Sequence, residues 1–252
     1  MRELVVYGLG ELGQLYGAAA LRAGLRVTPI TRGSDPRSVL AGAAPDLPIL
    51  VAVGESALAE VLGSLEPSRT GSLILLQNEL FPSHFQALGT PTVFVPWLLK
   101  KRGMPLMVAR ATPVHGRFAA LVCELHAALD LPSLELTSEA ALAQALIEKY
   151  AFIITINALG VLRDRTLAMW LQEDPHRVDA LASEAAALGV ALGGAPIDLA
   201  ACLRTVKQAM QALGSIAARG RSAPERVARA LAEAARLGLT LPELTRVAHE
   251  AR

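Results

Sequence analysis

A glycine pattern near the start of the chain constrains the fold more than any other feature. It reads Gly8-Leu9-Gly10-Glu11-Leu12-Gly13 and lies between a strand-like run, Leu4–Tyr7, and a helical stretch, Gln14–Ala23. In a dinucleotide-binding turn the first glycine makes the turn, the second admits a pyrophosphate, and the third lets helix and strand pack closely. The helix N-terminus adds amide donors and positive potential. The alternative interpretation is a glycine-rich strand-to-helix turn without a ligand.

The first half of the chain alternates short apolar runs with helical stretches, which is typical of βα units that feed a parallel sheet. Pro29 lacks the amide donor of a central strand, but it lies near the end of its run. From about Ser138 the strand signal disappears, and stretches with helical spacing continue to Arg252. The predicted strands are Leu4–Tyr7, Arg26–Ile30, Ile49–Val53, Leu73–Leu76, Val93–Val95, Leu106–Ala109 and Leu134–Leu136.

This change of pattern predicts an α/β fold with two domains. We expect residues 1–138 to form a Rossmann domain with a doubly wound parallel sheet that binds the cofactor. Residues 139–252 are expected to form a smaller all-helical domain for substrate binding and dimerisation. Within it, Ala182–Leu203 is rich in Ala, Leu and Gly and has few charges, which predicts a homodimer interface.

Composition argues against several classes of protein. Lys and Arg total 24 against 23 Asp plus Glu, so no excess of positive charge indicates nucleic-acid binding. The run Lys100-Lys101-Arg102 is short and is interpreted as a solvated turn. The longest charge-free stretch, Phe85–Leu99, contains two prolines and is not expected to cross a membrane. Met1-Arg2-Glu3 runs directly into a predicted strand, so we expect no signal peptide.

The cysteines and histidines indicate a reducing compartment and no metal site. Cys123 and Cys202 are far apart in apolar surroundings, which favours free thiols and a cytoplasmic protein. The histidines show no metal-ligand spacing. They are His84, His115, His126, His176 and His249.

The residues after the second predicted strand indicate which dinucleotide binds. An NAD site usually has an Asp or Glu there, bonded to the ribose 2′-hydroxyl. This chain instead reads Thr31-Arg32-Gly33-Ser34. Because a guanidinium pairs with phosphate oxygens in a bidentate manner, the loop favours the 2′-phosphate of NADP. Thr31, Arg32 and Ser34 therefore join the glycine turn as predicted cofactor-binding residues. The alternative is that Arg32 is an ordinary exposed loop arginine.

Two polar side chains accompany an apolar helical stretch in the second half. Lys149 leads into the run Ala151–Leu162, and Asn157 lies two steps of four residues further on, so both lie on one broad helical stripe. A lysine that loses its water needs a carboxylate, a ligand or a functional role. The alternative is that Lys149 lies on an exposed first turn and pairs with Glu148 or another neighbour.

Three stretches of the chain resemble those of a known family. Leu136–Leu159, with Lys149 and Asn157, resembles the helix that carries the catalytic lysine of ketopantoate reductases. Leu75-Leu76-Gln77-Asn78 resembles that family's strand and loop ending in a functional asparagine, and Ala218–Leu239 resembles its late helix. The chain is thereby identified as a divergent relative among the 6-phosphogluconate-dehydrogenase-like two-domain oxidoreductases.

The resemblance implies an NADPH-dependent reductase of a small 2-oxo acid or related carbonyl compound. By this resemblance Lys149 is the general acid toward the substrate carbonyl while NADPH supplies hydride. Asn157 and Asn78 position substrate or nicotinamide, so Asn78 counts both as a catalytic and as a cofactor-binding residue.

Four positions depart from the family pattern. Ile153 stands where a second asparagine is usual, Gly54 where lysine is common, and Glu79 where a glycine commonly follows the loop asparagine. Ser222 falls where the substrate-binding glutamate is expected, and Ser222 to Glu225 is interpreted as a capping box that starts a helix. These departures leave two alternatives open: an NADP-binding protein without catalysis, or a different β-hydroxyacid or imine oxidoreductase on the same plan.

Overall fold

The chain divides into two compact units in the computed structural model. Unit 1 comprises Met1–Met107 and Ala111–Leu142, and unit 2 comprises Val108–Arg110 and Ala143–Arg252. The described residues are 2–85, 89–100, 103–218, 220 and 222–251, so Lys101 and Arg102 of the basic run lie outside them. The separate roles expected for residues 1–138 and 139–252 stay predictions.

Unit 1 is built on a seven-stranded sheet. The strands of the chain are β1 (Glu3–Tyr7), β2 (Arg26–Ile30), β3 (Ile49–Val51), β4 (Leu73–Leu75), β5 (Thr92–Phe94), β6 (Leu98–Leu99), β7 (Met107–Val108), β8 (Thr112–His115) and β9 (Ser133–Glu135). The order in the large sheet is β2-β1-β3-β4-β5-β8-β9. Neighbours from β2 to β5 are parallel, whereas β8 is antiparallel to β5 and parallel to β9. The predicted α/β class is confirmed, with a mostly parallel rather than wholly parallel sheet.

Two features of the sheet differ from the sequence prediction. The segment Leu106–Ala109 was expected in the main sheet, but only Met107–Val108 is a strand, and it pairs with β6 in a separate two-stranded sheet. β8 was not predicted, since Pro113 lies within it. Pro29 lies in β2 as predicted, and β2 is an edge strand, where a missing amide donor is tolerated.

The helices of unit 1 bury one side of the sheet. They are α1 (Glu11–Arg22), α2 (Pro36–Leu40), α3 (Glu55–Ser64) and α4 (Ala119–Ala127). α1 contributes Tyr16, Ala19 and Ala20 to the core, and α4 contributes Val122 and Leu125. Each fully buried Val or Leu side chain contributes about 1.5–3 kcal/mol relative to an exposed one. This packing fixes the start of α1 at the end of β1.

A buried hydrogen-bonded pair lies in the same core. The Nδ1 atom of His126 is 2.9 Å from the Val122 carbonyl oxygen, which can only accept, so Nδ1 carries the proton. The Tyr16 hydroxyl therefore donates to Nε2 of His126, at 3.2 Å. The Tyr16 ring also meets the Phe94 ring edge-on, with centroids 5.2 Å apart. Burial lowers the pKa of His126, so the imidazole is held neutral.

We expect this pair to make the protein less stable in acid. The unfolded chain binds a proton at His126 near the ordinary pKa of about 6.5, whereas the folded chain binds it only at lower pH. The contribution of His126 to the free energy of unfolding is therefore complete above about pH 6.5 and is lost as the pH falls below it. Thermal melts across this range will measure the effect. His126→Gln should flatten the pH dependence, and the exposed-site control His249→Gln should not.

The second half of the chain is helical, as predicted. Its helices are α5 (Glu139–Leu162), α6 (Leu167–Glu173), α7 (Pro175–Gly193), α8 (Leu199–Ala212), α9 (Ala223–Arg236) and α10 (Pro242–Glu250). α5 is long and apolar enough to cross a membrane by length and composition alone, but 83% of its apolar window is buried inside the protein. α7 packs closely on it, because a Cβ at Gly189 would lie 3.0 Å from Ile147. α5 is therefore the core helix of the second half.

Charged groups attach α10 to α7. The Glu184 carboxylate accepts hydrogen bonds from the backbone amides of Glu243 and Leu244, at 2.7 and 2.8 Å. Arg177 pairs with Glu243 at 2.7 Å and with Glu250 at 3.0 Å. These contacts cap the start of α10 and hold both of its ends against α7.

The apolar segment Ala182–Leu203 serves the core of unit 2. Its Ala182, Ala185, Ala186, Leu188 and Cys202 side chains are buried within the chain itself. The composition that suggested a dimer interface is thus explained by packing inside one subunit. The homodimer stays a prediction.

Candidate functional site

The carboxyl ends of β1 and β3 form the switch point of the sheet, because the next strands in sequence lie on opposite sides of β1. Ligands of open α/β sheets bind in the crevice at such a point. The backbone amide of Gly8 donates to the Ile30 carbonyl at 2.9 Å, and that of Ala52 donates to the Tyr7 carbonyl at 2.8 Å. These bonds bring the glycine turn beside the ends of β2 and β3.

Two glycines of the turn are required by close backbone contacts. Gly8 has a φ of +94°, and a Cβ there would lie 2.7 Å from the Ala52 carbonyl oxygen. A Cβ on Gly13 would overlap the carbonyl oxygen of Gly8. The first glycine therefore makes the turn and the third permits close helix–strand packing, in the roles that the motif predicts.

The second glycine borders open space. Gly10 is the N-cap of α1, with no side-chain cap, and a Cβ there would meet no described atom within 4 Å. The first amides of α1 therefore point at a free volume, the arrangement that binds a phosphate group. Leu9 and Glu11 are exposed beside it, whereas Leu12 packs partly against the core.

A second uncapped helix begins at the same edge of the sheet. Gly54 is the N-cap of α3, without a side-chain cap, and a Cβ there would also meet no described atom within 4 Å. The sequence comparison treated Gly54 only as a departure from a common lysine. It missed that the glycine leaves this helix N-terminus open.

Asn78 follows β4 and is half-buried. Its Nδ2 atom donates to a Glu55 carboxylate oxygen at 3.1 Å. The neighbouring Gln77 donates to the carbonyls of Val51 and Val53, at 2.8 and 3.2 Å. Among the described residues the Oδ1 atom of Asn78 accepts no hydrogen bond, so it is free to receive one from a ligand. Sequence reasoning missed the supporting roles of Gln77 and Glu55, although Gln77 directly precedes the predicted asparagine.

The loop after β2 presents a cation and no free carboxylate. The Ser34 amide donates to the Thr31 carbonyl at 2.9 Å, and the Thr31 amide donates to the Ser34 hydroxyl at 3.1 Å, which closes the turn. Arg32 is exposed, and no described residue forms an ion pair with it. Asp35 accepts from the Arg37 and Ser38 amides and caps α2. The Ser38 hydroxyl bond holds the pKa of the Asp35 carboxyl below its usual value, so this carboxylate is committed to the cap.

Lys149 is buried in the middle of α5. Its side chain is only 5% exposed, and its Nζ atom lies 5.6 Å from the centroid of the Phe152 ring. The alternative of an exposed first turn is wrong, because α5 already begins at Glu139. The Glu148 carboxylate accepts hydrogen bonds from Gln144 at 2.8 Å and from Arg110 at 3.0 Å. Cation–π contact with Phe152 helps to stabilise the buried ammonium.

Asn157 presents an oriented acceptor in unit 2. Its side chain is 2% exposed, and its Nδ2 atom donates to the Ile153 carbonyl at 2.6 Å. This bond fixes the amide so that Oδ1 points away from that carbonyl. The buried Oδ1 has no hydrogen-bond partner, and a Cβ on Gly220 would lie 2.7 Å from it. A bare buried acceptor of this kind is expected where a ligand supplies the donor.

The predicted capping box at Ser222 is wrong. α9 does begin directly after Ser222, as predicted, but the Ser222 side chain makes no capping hydrogen bond. An N-cap serine needs an extended backbone to reach the helix amides, and Ser222 has a ψ of 22°. The structure therefore assigns neither a capping role to Ser222 nor a box to the pair Ser222 and Glu225.

Metal-binding and thiol groups add nothing to this site. Among residues 2–85, 89–100, 103–218, 220 and 222–251, no group of three or more His, Cys, Asp or Glu side chains is placed to hold a metal ion. Cys123 and Cys202 are both free. Burial raises the pKa of the Cys202 thiol to about 12, so it is protonated at neutral pH.

Comparisons with known proteins give relatives by structure only. No protein-family model matches the sequence, and no curated protein matches it significantly. A D-mandelate dehydrogenase solved with NADH superposes with a TM-score of 0.71 at 12% identity, covering 99% of this chain and 97% of that one. The 2-dehydropantoate 2-reductase of Methylococcus capsulatus gives 0.66 at 15% identity, covering 98% and 94%. A dimeric ketopantoate reductase from Staphylococcus aureus gives 0.64 at 17% identity, covering 99% and 97%.

Identities this low show the architecture of the molecule. The likeness spans nearly the whole chain and nearly the whole of each neighbour. The resemblance inferred from the sequence segments is confirmed at this level. The chain has the fold of the ketopantoate reductases.

Proposed function

We propose that the protein is an NADPH-dependent reductase of a small 2-oxo acid or related carbonyl compound. The observation that carries this proposal is the open N-terminus of α1 at Gly10, where free backbone amides face space at the switch point of the sheet. The oxidoreductase fold of the structural neighbours supports the reaction class.

In this proposal each site residue has one task. NADPH, held by the glycine turn and Arg32, would supply hydride to the carbonyl carbon. The carbonyl oxygen then gains an electron pair, and Lys149 donates a proton to it. Asn157 accepts a hydrogen bond from the substrate through Oδ1, and Asn78 positions substrate or nicotinamide through its free Oδ1.

The substrate we favour has an apolar arm. Ile153, on α5 between Lys149 and Asn157, supplies an apolar surface in place of the asparagine usual in ketopantoate reductases. One D-mandelate dehydrogenase structure, with a TM-score of 0.68 at 11% identity, holds NADH and anilino(oxo)acetate. Apolar substituents on the 2-oxo acid are therefore expected to raise kcat/KM relative to hydroxylated ones.

Turnover assays test the proposal. Oxidation of NADPH by a panel of aliphatic, aromatic and hydroxylated 2-oxo acids is expected to show activity, highest for the apolar members. Turnover confined to 3-hydroxy acids or imines would favour the different oxidoreductase on the same plan. NADPH binding without turnover of any member would favour the cofactor-binding protein without catalysis, which the departures at Ile153, Gly54 and Ser222 permit.

Arg32 is expected to select NADP(H) over NAD(H). Arg32→Ala should weaken NADP binding by about 1.5–3 kcal/mol, the range for a hydrogen bond to a charged group, and leave NAD binding nearly unchanged. Calorimetric titration with both cofactors measures this difference. Arg22→Ala removes an exposed arginine at the far end of α1 and is the matched control. Equal losses for NADP and NAD at Arg32→Ala would contradict the assignment.

Two broader features belong to the same proposal. Homodimerisation is supported by the dimeric Staphylococcus aureus neighbour. A cytoplasmic location is supported by the two free cysteines. The expected partners are a small carbonyl substrate and a second subunit, without nucleic acid or membrane.

A further inference from the structure

A small cavity in unit 1 lies apart from the glycine turn. It is formed by α2, the C-terminal end of α3 and the segment that follows α3, and its volume is about 180 Å³. The charged side chains that line it are Arg37, Glu66 and Arg69, and Leu40 and Leu65 line it as well. None of its lining residues belongs to the Gly8–Gly13 turn or to the 31–34 loop.

Arg69 is a buried cation without a carboxylate partner. Its side chain is 6% exposed, and its guanidinium donates to the carbonyls of Leu40, Ala43 and Ala44 at 2.8–2.9 Å. Within the described chain no carboxylate forms an ion pair with it, and its Nε–H makes no hydrogen bond. Buried charges are ordinarily paired with an opposite charge. The missing counter-charge is therefore an anion, and the cavity that Arg69 lines is where it can bind.

Arg37 and Glu66 add opposite charges to the same cavity. Both side chains are exposed, and the described residues include no ion pair between them or with any other residue. The cavity thus offers two guanidinium groups and one carboxylate. Such a set is complementary to a molecule that carries both a carboxylate and an ammonium group.

The size and the apolar lining restrict the ligand further. A volume of about 180 Å³ equals that of roughly six water molecules in the liquid, which is too small for a dinucleotide. Leu40 and Leu65 give apolar surface for a short aliphatic group. Charge, size and lining together describe an aliphatic amino acid.

We propose that this cavity binds a free aliphatic α-amino acid. The carboxylate pairs with Arg69 and Arg37, the ammonium group pairs with Glu66, and the aliphatic side chain packs on Leu40 and Leu65. The site is separate from the proposed reductase site and does not depend on it.

Calorimetric titration of the full chain with L-leucine tests this proposal. The expected result is saturable binding of leucine that is at least about tenfold tighter than binding of its two truncated analogues. 4-Methylpentanoate lacks the ammonium group, and 3-methylbutylamine lacks the carboxylate. Inorganic phosphate serves as an anion without an ammonium group or an apolar arm.

Two variants and two controls locate the site. Glu66→Gln and Arg37→Gln should each weaken leucine binding at least about tenfold, which corresponds to about 1.4 kcal/mol. Glu60→Gln and Arg22→Gln remove exposed charges of the same kinds elsewhere in unit 1 and should change nothing. Thermal melts will show that all four variants fold, and Arg69 is left intact because it holds the 40–44 segment.

The outcomes separate this site from the reductase proposal. No leucine binding, or equal binding of leucine, 4-methylpentanoate and phosphate, would overturn the amino-acid assignment. So would leucine binding that survives both Glu66→Gln and Arg37→Gln. NADPH titrations and 2-oxo acid turnover measure the other site, so neither result depends on the other.

Discussion

Lys149→Met is expected to lower 2-oxo acid reduction by about 10²–10⁴-fold, the contribution of a positioned general acid. Methionine keeps most of the volume of the buried lysine, so the core around α5 stays filled. NADPH affinity should stay within a few-fold, because the cofactor's phosphates bind at the N-terminus of α1 in unit 1. Steady-state kinetics on the best panel substrate and calorimetric titration with NADPH measure the two effects.

A purely structural Lys149 would behave differently. Thermal stability would then fall while turnover per folded molecule was retained. Lys207→Ala is the control, since Lys207 forms an exposed ion pair with Asp179 in the same unit. Such pairs contribute up to about 1 kcal/mol to stability, and turnover should not change. A fully active Lys149→Met enzyme would refute the proton-donor role and leave cofactor binding untouched.

The second large effect concerns the glycine turn. Gly13→Ala is expected to destabilise the protein by about 3 kcal/mol or more, because the new methyl group would overlap the Gly8 carbonyl oxygen. The overlapping atom is backbone that is fixed by the sheet, so it cannot move aside as a flexible side chain could. Thermal or denaturant unfolding will measure the loss, and NADPH binding should disappear with it.

Gly10→Ala is the matched comparison in the same turn. A methyl group there meets no described atom within 4 Å, so stability should change by about 1 kcal/mol or less. NADPH affinity should nevertheless fall at least about tenfold, since the methyl group occupies the space expected for the pyrophosphate. Unchanged NADPH affinity in a folded Gly10→Ala variant would support the alternative of a turn without a ligand.

Local patterns predicted the fold well. The apolar runs at Leu4–Tyr7 and Arg26–Ile30 correspond closely to β1 and β2, since period and composition directly reflect burial within a strand. The loss of strand signal near Ser138 matches the start of α5. The roles of Gly8 and Gly13 also followed from spacing, because a tight strand-to-helix turn depends only on residues close in sequence.

Features that depend on distant residues could not be predicted in this way. The bare oxygen of Asn157 lies against Gly220, far along the chain, and no local pattern links them. The burial of Lys149 follows from where α5 begins and what packs on it, which the spacing of polar residues left undecided. The cavity at Arg69 arises from backbone carbonyls of the 40–44 segment, whose direction no side-chain pattern reveals.

The contact between Gly8 and the end of β3 also bears on how the chain folds. β1 needs β2 on one side and β3 on the other, and such parallel pairings form slowly because they close long loops. The glycine turn reaches its final shape only when Ala52 has docked against it. A bound nucleotide therefore acts mainly on the finished molecule. It slows unfolding and gives little help to the search for the native state.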